Sequence, residues 1–320
     1  MIERLGQPPV EPIFEELAVI GVGLIGSSIA RAARHRQAAG RIVLADRSIE
    51  TLERAKALRL GDLVTDDLAR AVAHADCVIL CAPVGANEAI GRAIAPALKH
   101  GAIVSDVGSV KSAVVAALEP IVPKHARFVP AHPVAGTEYS GPDAGFATLF
   151  VNRWCILTPP EGTAEEAVSR MRAFWEALGS HVEIMSAAHH DLVLAITSHV
   201  PHLIAYNIVG TAADLEEVTR SEVIKFSAGG FRDFTRIAAS DPTMWRDVFL
   251  HNKEAVLEML GRFNEDLTAL QRMIRREDGD GLFALFTRTR AIRLGIVAQG
   301  QETTAPDFGR RAAETDEPVQ

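Results

Sequence analysis

Four groups of residues in this 320-residue sequence have the types and spacing to do chemistry. The first is His132, in Ala131 to Ser140 (AHPVAGTEYS), directly after the apolar run Phe128 to Pro130. An imidazole exchanges a proton close to neutrality, so a histidine held at the mouth of a strand by Pro133 and Gly136 can serve a cleft as acid or base. A lone histidine after a strand is also a common packing residue, and the chain upstream has to decide between the two. The second group is SHVPH, where His199 and His202 share a helical face at i and i+3 and Pro201 loosens the turn between them. With no carboxylate at ligand spacing, zinc suits this pair less well than a polar substrate contact or a satisfied core pair, and no metal is expected. The third is Gly229 to Asp247, GGFRDFTRIAASDPTMWRD, which gathers Arg232, Asp233, Arg236, Trp245 and Arg246 around a short helix between glycine and proline breaks. A guanidinium grips a carboxylate through paired hydrogen bonds, and Asp233 can hold such a guanidinium in place; a surface ion-pair cluster is the alternative. Ser109, in VGSVK, is the fourth, either a site residue or the N-cap of a helix over 111–118.

The elements that must position these residues begin at Leu17. LAVIGVGLIG is an apolar strand running into Gly21, Gly23 and Gly26, and SSIARAARH continues with helical spacing. The first glycine permits the sharp turn, the second lets backbone approach a pyrophosphate and the third lets helix and strand pack closely. Leu24 and Ile25 open the helix whose N-terminus faces the phosphate charge. A second apolar run, Ile42 to Ala45, ends at Asp46, 20 residues after Gly26. A carboxylate there accepts the ribose hydroxyls of NAD and repels the 2′-phosphate of NADP, with Arg47 beside it softening the discrimination. The lesser alternative is that Asp46 merely caps the helix containing Leu52 to Leu58. Asp76 to Ala82 and Ala102 to Asp106 read as further strands, with Pro83 opening a loop before a helix over 87–98. Strands alternating with helices imply a Rossmann-type doubly wound parallel sheet whose C-terminal loops line one crevice. Pro83, Ser109 and His132 all stand at such strand ends, near the nicotinamide half of the cofactor.

After strands at Cys155 to Thr158 and His181 to Met185 the pattern turns helical, from Ala187 to about Val297. The expected organisation is an N-terminal extension (1–16), a dinucleotide-binding domain (17–186), an all-helical substrate and dimerisation domain (187–298) and a flexible tail (299–320). Val256, Leu260, Phe263, Leu267, Leu270 and Ile274 step by four and three along one helix. Such a seam serves an intramolecular core or a homodimer interface.

Composition narrows the partners. A hydrophobic fraction of 48% over this length supports two domains. A net charge of -8 leaves no basic field for nucleic acid or anionic lipid. The acidic start carries no signal peptide and no later stretch reaches about 18 uninterrupted apolar residues, so a cytoplasmic protein with no membrane contact is expected. The three cysteines are too few for a disulfide framework and read as core packing.

Taken together, GVGLIGSS, DVGSVK, AHPVAGTEYSG, TSHVPH, GGFRDFTRIAASDPTMWRDVF and the following HNKE resemble the prephenate and arogenate dehydrogenase family of tyrosine biosynthesis over roughly residues 17–297. The resemblance implies an NAD-dependent oxidative decarboxylation of a cyclohexadienyl substrate. It implies that His132 accepts the proton of the ring hydroxyl, that Ser109 orients His132 beside the nicotinamide, and that Arg236, partnered by Asp233, binds a substrate carboxylate. Glu138, Thr137, His199, His202 and Trp245 then line or gate the pocket. Too few residues precede the first strand for a fused mutase and about 20 tail residues are too few for a regulatory domain, so any inhibition by tyrosine is expected to act at the active site. A beta-hydroxyacid-type dehydrogenase of the same architecture needs a catalytic lysine in the helical part, where Lys225 and Lys253 are the candidates. A non-catalytic NAD-binding regulatory module would not require His132 and Arg236 together.

Overall fold

The computed structural model describes residues 11–137, 139–214, 225, 226 and 228–296. The expected extension over 1–16 therefore lies mostly, and the tail over 299–320 wholly, outside the described residues, as does Glu138.

Six parallel strands form the main sheet in the order β3-β2-β1-β4-β5-β6. They are β1 (Phe14–Ile20), β2 (Ala39–Ala45), β3 (Leu63–Thr65), β4 (Cys77–Leu80), β5 (Ile103–Asp106) and β6 (Arg127–Phe128). Helices α1 (Leu24–His35), α2 (Ile49–Ala57), α3 (Leu68–Val72), α4 (Asn87–Ile94) and α5 (Ser112–Leu118) make the crossovers. The apolar runs lack polar alternation because both faces of the sheet are covered. Leu17 and Val19 of β1 pack with Ile29, while Ala18 and Ile20 pack on the other side with Val72, Ile94 and Leu118. Order and crossovers put the reversal point between β1 and β4, the place where such sheets bind nucleotides. The three cysteines are free, as expected of core residues.

One arrangement differs from the sequence reading. The His132 stretch is not a turn leaving the main sheet. It forms a short strand, β7 (Ala131–Pro133), antiparallel to β8 (Trp154–Leu157), which in turn pairs in parallel with β9 (His181–Ile184) in a separate three-stranded sheet. Helix α6 (Glu165–Ala177) packs Phe174 and Trp175 into the same core as Phe14 and Phe150. The chain changes sheets between Phe128 and Ala131, a switch that sequence periodicity over so few residues does not encode.

Helices follow from Ala187. Helix α7 (Ala187–Leu194), a π turn (Ala195–His199) and α8 (Val200–Ala213) run on as one 27-residue rod. By length and composition alone this rod could cross a membrane, which the reading of uninterrupted apolar runs did not detect. It is nonetheless interrupted by His190, Asp191 and His199, all buried against the strand-bearing part. Helix α9 (Gly229–Thr235), a 3₁₀ turn (Arg236–Ala239) and α10 (Pro242–His251) come next, then α11 (Lys253–Arg275) and α12 (Gly279–Ile296). Asp241 caps α10 by accepting from Met244 N at 2.8 Å, and Pro242 fills the first turn, where its missing N–H costs nothing. Packing divides the chain into Met1–Met259 and Leu260–Gln320. In the first unit Val256 is buried beneath Ala195 and Val200, whereas Leu267 and Ile274 of the same seam are exposed in the second.

Candidate active site

The cofactor side of the site is made of backbone. Gly21 sits at φ +98°, in the left-handed region, and a Cβ there would lie 2.8 Å from the Cys81 carbonyl carbon. At Gly26 a Cβ would lie 2.0 Å from Gly21 O, so α1 can approach β1 this closely only with glycine. A Cβ at Gly23 would meet nothing within 4 Å, and no side chain caps the start of α1. That leaves open room at a helix N-terminus with no acidic residue in its first turn, the setting in which backbone N–H groups hold a phosphate. Leu24 and Ile25 open this helix half-buried, and Pro83 begins the loop after β4.

Asp46 closes this half. Its carboxylate accepts from Val22 N at 2.8 Å and Ser48 N at 2.9 Å, tying the end of β2 to the glycine turn. The capping alternative falls away, since the α2 cap is Ser48, which accepts from Thr51 N at 3.2 Å. Arg47 beside it is exposed.

The proton-handling side is made of buried side chains from five segments. Asp106, at the end of β5, accepts from Gly108 N at 2.7 Å, from Ala131 N at 3.3 Å and from the ammonium of Lys111. Lys111 Nζ also donates to Ala131 O at 2.7 Å, so one buried ion pair grips both sides of the residue before His132. Burial pushes the Asp106 carboxyl up and the Lys111 ammonium down, and the attraction and hydrogen bond between them oppose both shifts. His132 Nδ1 lies 2.8 Å from His190 Nε2, and His190 Nδ1 lies 2.8 Å from Asp191 Oδ1. Asp191 further accepts from Lys111 N at 2.7 Å and Ser112 N at 2.8 Å, taking the first turn of α5. Burial depresses His132 well below the ordinary histidine value, and His190, Lys111 and His199 press it in the same direction. His132 is therefore neutral at physiological pH, and among the described residues none hydrogen-bonds its Nε2.

The π turn brings His199 into this cluster. Asp191 and His199 are eight residues apart, about 80° from alignment in a regular α-helix. One residue of π surplus reduces that to roughly 20°, and Asn252 Nδ2 then reaches both Asp191 O (2.9 Å) and His199 Nδ1 (3.0 Å). Burial pulls His199 down to about 4. Trp245 joins the two histidines of SHVPH as expected, stacking on His202 at 3.6 Å and meeting His199 edge-on at 6.1 Å. Arg236 is half-buried and close enough to His202 for its charge to lower that ring further, after burial. Tyr206 Oη donates to Ser240 O at 2.8 Å, fastening α8 to the turn that carries Arg236.

Two chain-wide matches decide the family. Residues 29–184 match the family model described as prephenate dehydrogenase, nucleotide-binding domain, and residues 186–288 match prephenate dehydrogenase, dimerization domain. The chain belongs to the prephenate dehydrogenase family. A cyclohexadienyl dehydrogenase from Zymomonas mobilis is 46% identical over 89% of this chain and 97% of its own length. A prephenate dehydrogenase from Bacillus subtilis is 34% identical over 92% of this chain and 79% of its own. The crystal structure of a prephenate dehydrogenase from A. aeolicus with hydroxyphenyl propionate and NAD+ superposes with a TM-score of 0.83 at 34% identity, covering 92% of this chain and all of that one. This prephenate dehydrogenase family member is an NAD-dependent oxidoreductase that acts by oxidative decarboxylation.

Within that identity two expected pairings are corrected. The partner of His132 is His190 and not Ser109, which is half-buried and makes no hydrogen bond to the ring. Asp233 makes its hydrogen bond to the neighbouring Arg232 at 3.1 Å, with both side chains exposed, where the expected partner was Arg236. Thr137 is half-buried and accepts from Tyr139 N at 3.3 Å, while Glu138 lies outside the described residues. Lys253 is exposed beside Glu254, and Lys225 stands over Phe226, so neither described lysine of the helical part matches the beta-hydroxyacid alternative. Sequence reasoning passed over Asp106, Lys111, His190, Asp191 and Asn252. The signal available was a lysine after DVGS in an apolar setting and the pair His190-Asp191 four residues into a helix, but nothing local says that they meet.

Proposed function

We propose that this enzyme converts prephenate, arogenate or both to 4-hydroxyphenylpyruvate or tyrosine, with His132 as the base. The observation that carries the reading is a buried, neutral imidazole in β7 whose Nδ1 is committed to His190 and whose Nε2 makes no hydrogen bond among the described residues. NAD, held over the α1 N-terminus with its ribose on Asp46, supplies the hydride acceptor. His132 Nε2 takes the proton of the ring hydroxyl. Arg236 grips a substrate carboxylate, with Thr137, Glu138, His199, His202, Asp233 and Trp245 shaping the pocket and Ser109 and Pro83 bordering the nicotinamide. Loss of the ring carboxylate as carbon dioxide makes the ring aromatic and the step effectively irreversible, which leaves positioning and deprotonation as the protein's task.

The same reading assigns 17–186 to dinucleotide binding and 187–298 to substrate closure and homodimerisation in the cytoplasm. Exposed Phe283, Phe286, Ile292 and Leu294 on α12 support the dimer, since water-facing apolar rows on a helix call for a partner.

Steady-state kinetics with prephenate and with arogenate test the reading. His132→Asn should lower kcat by roughly 10²- to 10⁴-fold while NAD affinity stays near wild type. Near-normal turnover in that variant would remove His132 from the mechanism.

A further inference from the structure

The hydrogen bonds around Asp191 assign every ring proton behind His132. Lys111 N and Ser112 N can only donate, one to each Asp191 oxygen, at 2.7 and 2.8 Å. An Asp191 so placed is an acceptor on both sides, and those bonds with the one from His190 hold its pKa below the ordinary value although burial alone would raise it. His190 Nδ1 at 2.8 Å from Oδ1 must therefore carry its hydrogen. Burial keeps His190 neutral, so its Nε2 is a lone pair. His132 Nδ1, 2.8 Å from that lone pair, must in turn be an N–H.

We propose that His190 and Asp191 are positioning residues that lock His132 as the Nδ1–H tautomer and thereby reserve its Nε2 for the substrate proton. The proposal rests on His132 being the base. Without His190 the ring could carry its hydrogen on Nε2 and could then only donate to the hydroxyl it has to deprotonate. When the proton arrives at Nε2, the bond from Nδ1–H to His190 stays in place, and the Asp191 carboxylate behind it offsets the imidazolium charge. The other charged or titratable groups around His132 are Lys111 and Asp106 from the end of β5, His199 from the π turn and Cys155 from β8, whose thiol burial pushes well up. None of them offers a hydrogen bond to either ring nitrogen of His132. The frame is rigid at both ends, since Ala131 is gripped by Lys111 and Asp106 and the Asp191 carbonyl by Asn252.

The test reads the tautomer and the rate separately. In the full-length protein with ¹⁵N-labelled histidine, signals lost in His132→Asn identify the His132 ring. Wild type should show Nδ1 protonated and Nε2 bare. His190→Phe should release that preference and lower kcat by on the order of 10²-fold, with KM for the substrate changed by less than about threefold. His190→Gln should recover much of the rate, because its amide can donate to Asp191 and present its oxygen to His132. If His190→Phe does not fold, Asp191→Asn read by the same spectrum takes its place, with a mixed His132 tautomer expected. A wild-type ring protonated at Nε2, or a His190→Phe variant with unchanged tautomer and turnover, overturns the proposal. A fully active His132→Asn variant beside a wild-type Nδ1–H signal would instead overturn the base assignment and leave the tautomer lock standing.

Discussion

Around Gly21 to Gly26 the site is shaped by backbone, whereas around His132 it is shaped by side chains brought from β5, β7, α7, the π turn and the head of α11. The first region works because atoms are missing: no Cβ fits at Gly21 or Gly26, and none stands in the way at Gly23. The second works because buried donors and acceptors from distant segments are matched, Lys111 and Ser112 N–H to Asp191, Lys111 Nζ to Ala131 O and His190 to both Asp191 and His132. The two should therefore fail differently, the backbone region through added bulk and the side-chain region through lost matching even when bulk is conserved.

The sharpest contrast lies within the glycine turn itself. Gly26→Ala puts a Cβ 2.0 Å from Gly21 O and should abolish NAD binding and lower the melting temperature, while Gly23→Ala should melt like wild type and lose NAD affinity alone. Titration of NAD by fluorescence beside thermal melts checks both, and equal melting temperatures for the two variants would break the comparison. In the side-chain region, Lys111→Met conserves length but leaves Asp106 buried without its cation, which should cost about 3–5 kcal/mol in urea unfolding. Lys111→Met with Asp106→Asn should be more stable than Lys111→Met alone, because no uncompensated charge remains.

Acid should also separate the regions. His199 falls from the ordinary 6.5 to about 4, so below pH 6.5 the unfolded chain binds a proton that the native state refuses. Stability must then drop as pH falls from 6.5 toward 4, by about 3 kcal/mol for this group alone. Urea midpoints through that range measure the slope, and His199→Gln should flatten it. The smallest expected effect is at the half-buried Arg236. Arg236→Lys keeps the charge and loses the fork, which should raise KM for substrate roughly 10- to 150-fold, the equivalent of about 1.5–3 kcal/mol, with NAD affinity unchanged.

The same contrast explains what the sequence made legible. The glycine turn, Asp46 and the parallel strands were readable because each depends on neighbours within about 25 residues and on patterns with a fixed period. The α11 helix was readable for the same reason, since the seam expected from Val256 to Ile274 lies within the observed Lys253–Arg275. His132 was singled out through its loop and the family resemblance, but its partner was not. The bond from His132 to His190 spans 58 residues and that from Lys111 to Asp191 spans 80. No local pattern marks a histidine as the neighbour of another that distant. Ser109 was expected as its partner from the family resemblance alone, and in the structure β7 joins a second sheet and the His132 Nδ1 meets His190 of α7 instead.

The single surplus residue at Ala195–His199 makes the rod from Ala187 to Ala213 a ruler that is sensitive to insertions and deletions. Each residue of a helix advances its neighbours by about 100°, so deleting one position in the π turn would restore a continuous α-helix and rotate everything beyond it by roughly that angle. His199 would leave Asn252 and His202 would leave the Trp245 ring, although every side chain would still be present. Point substitutions on the outer face of this rod are cheap by comparison. Over evolutionary time the segment should therefore vary in letters far more freely than in length.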